Sequence, residues 1–593
     1  MLDLNHGPFE VQDHEVDLCV VGGGMAGLTA AVTAARLGAR VALMQDRPML
    51  GGNASSEIRV HIQGADRHNS VANVRETGIL EELRLENARR NPNWAWGVWD
   101  TILYEAVRFQ PNLTLLLNCS CLDAQMEGDA ITSVTGWQLT TQRYHRVRAP
   151  LFADCSGDAV LAPLTGAAYR MGREARHEYG ESIAPEVADT CTMGMTCLFQ
   201  ARQHETPQPY TPPSWAYTFG SWDEIPYGGR RPWFEMGYWW VELGGEADSI
   251  AETEAMRDEL LRIVFGLWDF IKNRAEHDGP NPAQNWALDW IQFLPGKRES
   301  RRYVGDHVLT QNDIEAEGRF ADLVAYGGWS MDDHHPSGFW SAKRGVPATI
   351  FHPAPSPYGI PYRSLYSRNV RNLFFAGRCA SATHAAMSSA RVMGTGCSMG
   401  QAVGSAAVLC ARDGLMPRDL GDGRIDELQQ ALLRQDCYLP WVTQELGALT
   451  REARLEASSG DPEPLRDGIA RPVGDDPHAW VGHLGGWVAY TWPEPRHVAG
   501  LTVICDSALD QDLIMSYHQP TPKTLRRVPE SVLREAQVEV LGDRGWELAA
   551  RIEDNHQRHV RVPIDRAVSG VRLVPTATWG SEQVRLFALY LDA

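Results

Sequence analysis

Three groups of residues in this chain have the types and spacing to do chemistry. The first lies in DLCVVGGGMAGLTAAVTAARLGARVALMQD, residues 17–46. Asp17 to Val21 is a short apolar run rich in β-branched residues and reads as a buried strand. Gly22, Gly24 and Gly27 then form GxGxxG. Met25 and Ala26 lead into an Ala-rich helix over Leu28 to Leu37, which Gly38 stops, and Val41 to Met44 is the next strand. Gly22 allows the tight turn, Gly24 lets backbone approach a pyrophosphate at the helix N-terminus, and Gly27 lets helix and strand pack closely. In that strand–turn–helix setting the motif points to dinucleotide binding. The second group is Asp332, Asp333, His334 and His335 in GGWSMDDHHPSGFW. Imidazoles beside carboxylates can move protons or hold a metal. No further ligands stand at ordered spacing, so no metal is expected; the alternatives are a proton-transfer role for one His or a polar surface turn. The third group is Arg298, Glu299, Arg301 and Arg302 in KRESRRYVGD. Arg301 and Arg302 either grip an anionic or hydroxyl-rich substrate or pair with Glu299 to fix a domain junction. Both readings stand.

The elements around the first group say which dinucleotide. The second strand ends on Gln45 where a lone carboxylate is usual, and the acid comes one residue late, at Asp46, with Arg47 beside it. Gln45 or Asp46 can still bond ribose hydroxyls. Gly51-Gly52-Asn53 follows too soon for another βα unit. A plain NAD domain has no need of it, whereas a loop passing along the pyrophosphate and ribityl chain of FAD does. NLTLLLNCSCLDA reads as an apolar strand and turn around Cys121, and HRVRAPLFADCSGDA as a return strand ending in a turn at Gly157. Far downstream, Asn372 to Ala376 reads as a buried strand closed by Gly377-Arg378. Thr395 to Cys410 reads as a helix with Gly400, Gly404 and Ala407 on a face suited to close backbone approach. Its N-terminus, around Gly396-Cys397, would point its dipole at the flavin N1–O2 edge. A flavin dehydrogenase needs a base that takes a proton as hydride leaves for N5. His384, in the same segment, is the first choice, His334 or His335 the second, and Arg391 would hold a substrate anion.

With QDRPMLGGNASSE and NLFFAGRCASATHAAMSSARVM in place, the chain resembles the FAD-dependent oxidoreductases of the glutathione-reductase-like superfamily. More narrowly, it is similar to the group placed with the FAD subunit of heterodisulfide reductase, over roughly residues 15–435. The resemblance implies that Gly22, Gly24, Gly27, Gln45 or Asp46, Gly51, Gly52, Asn53, Cys121 through its backbone, and Gly377 bind FAD. It makes the Gln-Asp pair usual. The chain departs from that group in one respect: its eleven cysteines form no CxxC, so the spacing supports no iron–sulfur cluster.

The expected fold class is α/β: a two-domain FAD-binding fold, a Rossmann-like ββα core with an inserted α+β substrate domain, followed by an all-β jelly-roll sandwich. Residues 1–160 are the first part of the FAD domain, 161–362 the inserted domain and 363–436 the second part. Residues 437–450 are a linker and 451–593 the sandwich. In the insertion, PEVADTCTMGMTCLFQARQ reads as a strand, Trp233, Trp239 and Trp240 cluster with Phe234 and Tyr238, and Ser249 to Arg274 is an amphipathic packing helix. The tail, with Ala457-Ser458-Ser459, Asp467-Gly468, Trp480 and Trp487, resembles discoidin-like, galactose-binding-like modules, which bind sugars through end loops or serve as docking surfaces.

A net charge of −20 argues against nucleic acid or an anionic membrane as the main partner. No signal peptide or apolar span is visible, and the scattered thiols fit a reducing compartment, with cytoplasm the default. The expected activity is hydride transfer between flavin and a small polar, sugar-like substrate, with an electron acceptor that the sequence does not name; association of like chains is left open. The rival readings are an FAD enzyme without net redox change, a lyase or isomerase, and a carbohydrate-binding protein with a vestigial flavin fold.

Overall fold

A computed structural model describes residues 8–226, 234, 238–277, 279–515 and 524–593; Trp233 lies outside these. Five short strands, Leu18–Val21 (β1), Val41–Met44 (β2), Leu113–Leu116 (β3), Leu151–Asp154 (β4) and Leu373–Phe375 (β5), form one parallel sheet in the order β5-β4-β1-β2-β3. Residues from both ends of the chain's first 430 positions thus share a single sheet. The strands read as unbroken apolar runs because both faces are covered. Leu18, Val20, Val41, Leu43, Leu151, Ala153 and Phe374 turn to the helical side. Cys19, Val21, Ala42, Met44, Phe152, Leu373 and Phe375 turn to the other, the period-two alternation of a strand. That second side is covered by a four-stranded sheet, a meander of Cys119–Glu127, Ala130–Gln138 and Arg143–Arg148 with Val11–Glu15 at its edge.

Three helices matter for the site: Met25–Arg36 (α1), His384–Ala390 (α2) and Met393–Asp413 (α3). α1 and α3 cross in close contact through glycine. A Cβ on Gly400 would fall 2.1 Å from the carbonyl oxygen of Ala26, and one on Gly404 2.4 Å from that of Ala30. α3 begins at Met393, two residues before the expected Thr395. Val392 is its extended N-cap, and its side chain makes no capping bond.

The middle of the chain is a patchwork of short two- and three-stranded sheets around the helix Thr253–Asp269, which ends in a π-turn over Phe270–Arg274. Leu260, Ile263, Val264, Leu267 and Phe270 from this helix are buried with Phe199, Tyr238 and Trp268 in one core. The segment expected as a single strand is broken instead. Met195–Thr196 pairs with Glu242–Leu243 and Gly296–Lys297, whereas Phe199–Gln203 pairs with Trp286–Ile291, so the chain changes sheets at Cys197-Leu198.

The C-terminal region is an antiparallel sheet of seven strands resembling a β-sandwich. Its two long strands, Val488–Cys505 and His559–Thr578, pair with each other across register breaks at Thr491/Arg496 and Val498/Gly500, which bend them around a core containing Trp480, Tyr490 and Trp492. This region is fastened to the rest. Leu85 and Ala88 sit in its core, while its Met515 sits in the core of the parallel-sheet region. Arg75, fully buried, pairs with Glu81 at 2.7 Å and donates to the carbonyls of Ser507 and Ala508. Arg471 donates to the carbonyls of Asn73 and Arg75 and to Thr77 Oγ1, and Arg558 pairs with Asp436. The stretch expected as a linker carries the helix Ala448–Glu452 and the buried Leu439. Among the described residues, no helix is long and apolar enough to cross a membrane.

Candidate functional site

Two cavities adjoin each other beside the parallel sheet. The first, about 430 Å³, runs across the carboxyl ends of four adjacent strands. Gln45 to Arg47 line it at the end of β2, Gly22, Gly24, Met25 and Ala26 at β1, Cys155 to Asp158 at β4 and Ala376 to Arg378 at β5. Gly51, Gly52 and Asn53 form one wall, Cys119 to Cys121 another, and Gly396 reaches it from the first turn of α3. Four strands at about 4.8 Å spacing give a trough on the order of 14 Å across, the position and shape that suit an extended dinucleotide.

The glycines account for its floor. Gly22 has φ +100°, and a Cβ there would lie 2.5 Å from the Cys155 carbonyl. Gly27 does not line the cavity; a Cβ on it would meet the Gly22 oxygen at 1.8 Å, so its part is packing. A Cβ on Gly24 would meet nothing nearer than Gly52 Cα at 3.9 Å, so that position opens onto the cavity. Gly24 is the N-cap of α1 and no side chain caps the helix, which leaves its first N–H groups for an anion.

The structure divides Gln45 from Asp46. Gln45 is buried; its Oε1 accepts from the Gly23 amide at 2.7 Å and its Nε2 donates to the Met49 carbonyl at 2.9 Å. It braces the glycine turn, so the carboxylate left at the strand end is Asp46, whose side chain is 62% exposed and lies 3.7 Å from the Arg47 guanidinium. Arg378 Nη1, on a cavity residue, is a buried donor without a hydrogen-bond partner, and Arg47 Nη1, also on the cavity, has only the Glu57 carboxylate at 3.4 Å. Such atoms are costly to leave bare, and a pyrophosphate supplies what they lack. The donor set therefore fits FAD. Cys397 does not: its thiol is buried, its carbonyl accepts from Thr29 Oγ1, and it lies in the second turn of α3, away from both cavities. Because the helix starts at Met393, the residues that reach the cavity from its first turn are Met393 and Gly396.

The second cavity, about 660 Å³, shares Asn53, Lys297, Arg378, Arg391 and Met393 with the first. The loop after Asn53 brings Val60, His61, Gln63, Arg67 and His68; the middle region brings Trp239, Trp240, Gln292, Arg298, Trp329, Asp332, His334 and Phe351. Rings continue along its wall: Trp239 to His61 at 5.3 Å, His61 to His68 at 5.1 Å, His68 to Trp329 at 5.5 Å between centroids.

His334 ends the strand Met331–His334 and is held at both nitrogens, Nδ1 by Glu242 Oε2 at 2.7 Å and Nε2 by Asp332 Oδ2 at 3.2 Å. Burial pulls its pKa down, but the carboxylates of Glu242 and Asp332 outweigh that and raise it above the ordinary value. Burial raises Glu242 and Asp332, yet Arg298 for the first and His334 for the second bring both below the usual carboxylate range. Arg391 donates to the Asp332 carbonyl and carboxylate at 3.2 and 3.1 Å.

The other expected site residues are placed differently. His384 lines neither cavity; its Nδ1 meets Glu299 at 2.6 Å and its Nε2 meets Asp333 at 3.3 Å. It stands behind the wall, so first choice passes to His334. His335 also stays outside, turned to Ser337 Oγ at 2.7 Å. Arg302 is fully buried between Glu174 and Glu299, the junction reading of that cluster. Arg301 lines the first cavity, not the second, with its guanidinium over Tyr169. His61, His68, Trp329 and Glu242 were missed. The only sequence signal for the first two was the polar run VHIQGADRH continuing past Asn53 with no helix pattern. Among the described residues, no group of three or more His, Cys, Asp or Glu is placed to hold a metal ion.

Comparison with known proteins gives the family. Solved structures similar to parts of the chain include p-nitrophenol 4-monooxygenase PnpA from Pseudomonas putida DLL-E4, at 13% identity over 71% of this chain and 86% of that one, TM-score 0.31. A geranylgeranyl bacteriochlorophyll reductase-like protein from Thermoplasma acidophilum matches at 12% identity over 72% and 86%, TM-score 0.32. The tail is similar to the family 32 carbohydrate-binding module of Streptococcus pneumoniae EndoD, at 15% identity over 24% and 94%, TM-score 0.19. At these scores none of them carries substrate or mechanism across. The family model described as FAD dependent oxidoreductase matches residues 17–432, and the chain belongs to that family of flavin enzymes.

Proposed function

We propose that the protein is a dehydrogenase-type flavoenzyme that oxidises a small polar, ring-bearing substrate of sugar-like shape in the second cavity, with His334 taking the substrate proton. The observation that carries this is the meeting of the two cavities at Asn53, Lys297, Arg378, Arg391 and Met393, with a doubly held imidazole on the substrate side. FAD, when bound, supplies the two-electron acceptor for the substrate hydride. Asp46 would meet the ribose, the N-terminus of α1 with Arg47 and Arg378 the phosphates, and the first turn of α3 the flavin end. On the substrate side, Glu242 accepts from Nδ1–H of His334, while Nε2 donates to Asp332 only in the protonated ring; in the neutral ring Nε2 is the bare nitrogen that would accept the proton released as the C–H bond breaks. The aromatic wall of Trp239, His61, His68 and Trp329, whose neighbouring rings meet at 76°, 48° and 83°, gives a stepped surface against which a sugar ring packs.

The narrower kinship with the heterodisulfide-reductase FAD subunit rests on the QDRPMLGGNASSE and NLFFAGRCASATHAAMSSARVM motifs. The eleven cysteines, all unpaired, support a chain that carries flavin alone and works in a reducing compartment, the cytoplasm. The β-sandwich serves as a docking element, since its core takes in Leu85 and Ala88. The test is anaerobic: purified protein should show flavin absorption, a panel of sugars and sugar derivatives should bleach it, and His334→Gln should keep the flavin but lose the bleaching. Turnover with no flavin reduction at any stage would replace this reading with the lyase or isomerase alternative.

A further inference from the structure

The charge around the second cavity is out of balance. Arg67, Lys297, Arg298, Arg378 and Arg391 line it, against one lining carboxylate, Asp332. Behind the wall, Asp158 pairs with Lys297 at 2.8 Å and with Arg378 at 3.4 Å, and Glu242 with Arg298 at 3.3 Å. Five fixed cations thus meet three carboxylates, in a chain whose net charge is −20. The surplus is a local construction.

Lys297 and Arg378 also line the cofactor cavity, and with Asp158 they can be assigned there. What remains is Arg67, Arg298 and Arg391 against Glu242 and Asp332, one cation over. Arg298 and Arg391 have the two carboxylates. Arg67 donates only to the carbonyls of Gly328 and Ala354 and has no ion-pair partner among the described residues. Arg391 is also incompletely bonded: its Nε is buried without a hydrogen-bond partner. That Arg391 donor is buried and bare, and half-buried Arg67 beside the same cavity has only carbonyls for partners, so an anion would complete both.

We propose that the substrate is a monoacid, a ring-bearing carboxylate of the sugar-acid type, whose carboxylate is bound by Arg391 and Arg67 while its ring lies along the Trp239–His61–His68–Trp329 wall. This rests on the reading of the second cavity as the substrate site. With His334 neutral, the form that can accept a proton, one uncompensated cation matches one negative charge, and the count favours a carboxylate over a phosphate ester. Among the neutral residues, Gln63 offers its amide oxygen to a hydroxyl, and an aromatic ring face suits the C–H face of a pyranose. Arg391 sits on the boundary shared with the cofactor cavity, so an acid anchored there places its neighbouring ring carbons at the junction of the two cavities.

The experiment uses the flavin-loaded protein under anaerobic conditions and follows the flavin absorption band during titration. Matched pairs differ only in the acid: galacturonate and galactose, glucuronate and glucose, benzoate and benzyl alcohol; glucose 6-phosphate is the phosphate arm. Each acid should perturb or bleach the band at a concentration about tenfold or more below that of its neutral partner, the worth of one charge-assisted hydrogen bond. Arg391→Gln should erase the preference and Arg391→Lys should retain part of it, both with flavin still bound. Equal or better binding of the neutral members, tighter binding of the phosphate than of any carboxylate, or no perturbation by any acid would overturn the proposal. If acids perturb the band and His334→Gln leaves turnover untouched, the proton-transfer reading fails and the acid site stands.

Discussion

The two cavities are built by opposite means. The cofactor cavity is made of backbone: Gly22, Gly24, Gly51, Gly52, Gly377 and Gly396, the ends of four strands and the first turns of two helices. The second cavity, the proposed substrate site, is made of side chains: imidazoles, indoles and guanidiniums gathered from loops far apart in the chain. A backbone site recognises what every relative must bind, phosphates and a flavin edge, and tolerates no added atom. A side-chain site recognises one ligand through charge and shape and can be rewritten residue by residue. Here the boundary between them is narrow, since Asn53, Lys297, Arg378, Arg391 and Met393 serve both.

Substitutions can break that division. The largest effect should come from Gly24→Val. The folded chain has room at this position, with no atom nearer than 3.9 Å to a Cβ, but the side chain would stand where the cofactor must approach. Flavin content of the purified protein should fall about tenfold or more while circular dichroism stays native; retention of flavin would mean that the cavity is not the cofactor site. On the substrate side, His334→Gln should lower turnover by about a hundredfold to ten-thousandfold with flavin content unchanged. His384→Gln, behind the wall, should cost less than about tenfold. If the two effects are reversed, the assignment of the base reverts to His384.

The electrostatics give a finer test. His334 works as a proton acceptor only when neutral, and Glu242 and Asp332 raise its pKa above the ordinary value. kcat/KM should therefore rise with pH through an apparent pKa above about 6.5, and Glu242→Gln should move that limb to lower pH. A limb that stays in place would exclude His334 as the titrating group. The smallest effect concerns the junction with the β-sandwich. Asp512 is buried with neither carboxylate oxygen hydrogen-bonded, and burial, helped by Asp66, pushes it up to about 7. Its folded pKa lies above its unfolded value, so the folded state holds the extra proton, and stability falls as pH rises from the ordinary carboxylate range to about 7. Asp512→Asn should raise Tm at pH 8 by about 2 °C or more and leave it nearly unchanged at pH 4; an equal gain at both would show that ionisation is not the cause.

The same contrast sets how much could be read from the chain. Gly22, Gly24 and Gly27 act within a few residues of one another, so strand, turn and helix were legible locally, as were the Gly51-Gly52 wall and the Gly400/Gly404 face. β2 runs over Val41–Met44 as expected. Boundaries set by tertiary contact were less legible. α3 begins at Met393 because the loop at Gln63 reaches across to it and accepts from the Gly394 amide. Gln45 looked like a ligand because its side chain has the right polarity at the right place, but the backbone around it needed both of its ends. The side-chain cavity was the least legible part. His61, Trp239 and Trp329 meet only after three loops have folded together, and nothing in their spacing announces it. The pairing of Arg302 with Glu174, 128 positions away, is equally silent in a linear reading.

The clasp formed by Arg75, Arg471 and Arg558 makes the chain indivisible. The tail contributes Leu513, Ile514 and Met515 to a small apolar hollow shared with Val60 and His61, residues that also face the substrate cavity. Severing the chain near residue 436 would strip the cover from Leu85 and Ala88 and remove the support beneath one side of that cavity. The β-sandwich is thus a buttress of the cavity wall, and loss of either segment would uncover buried surface on the other.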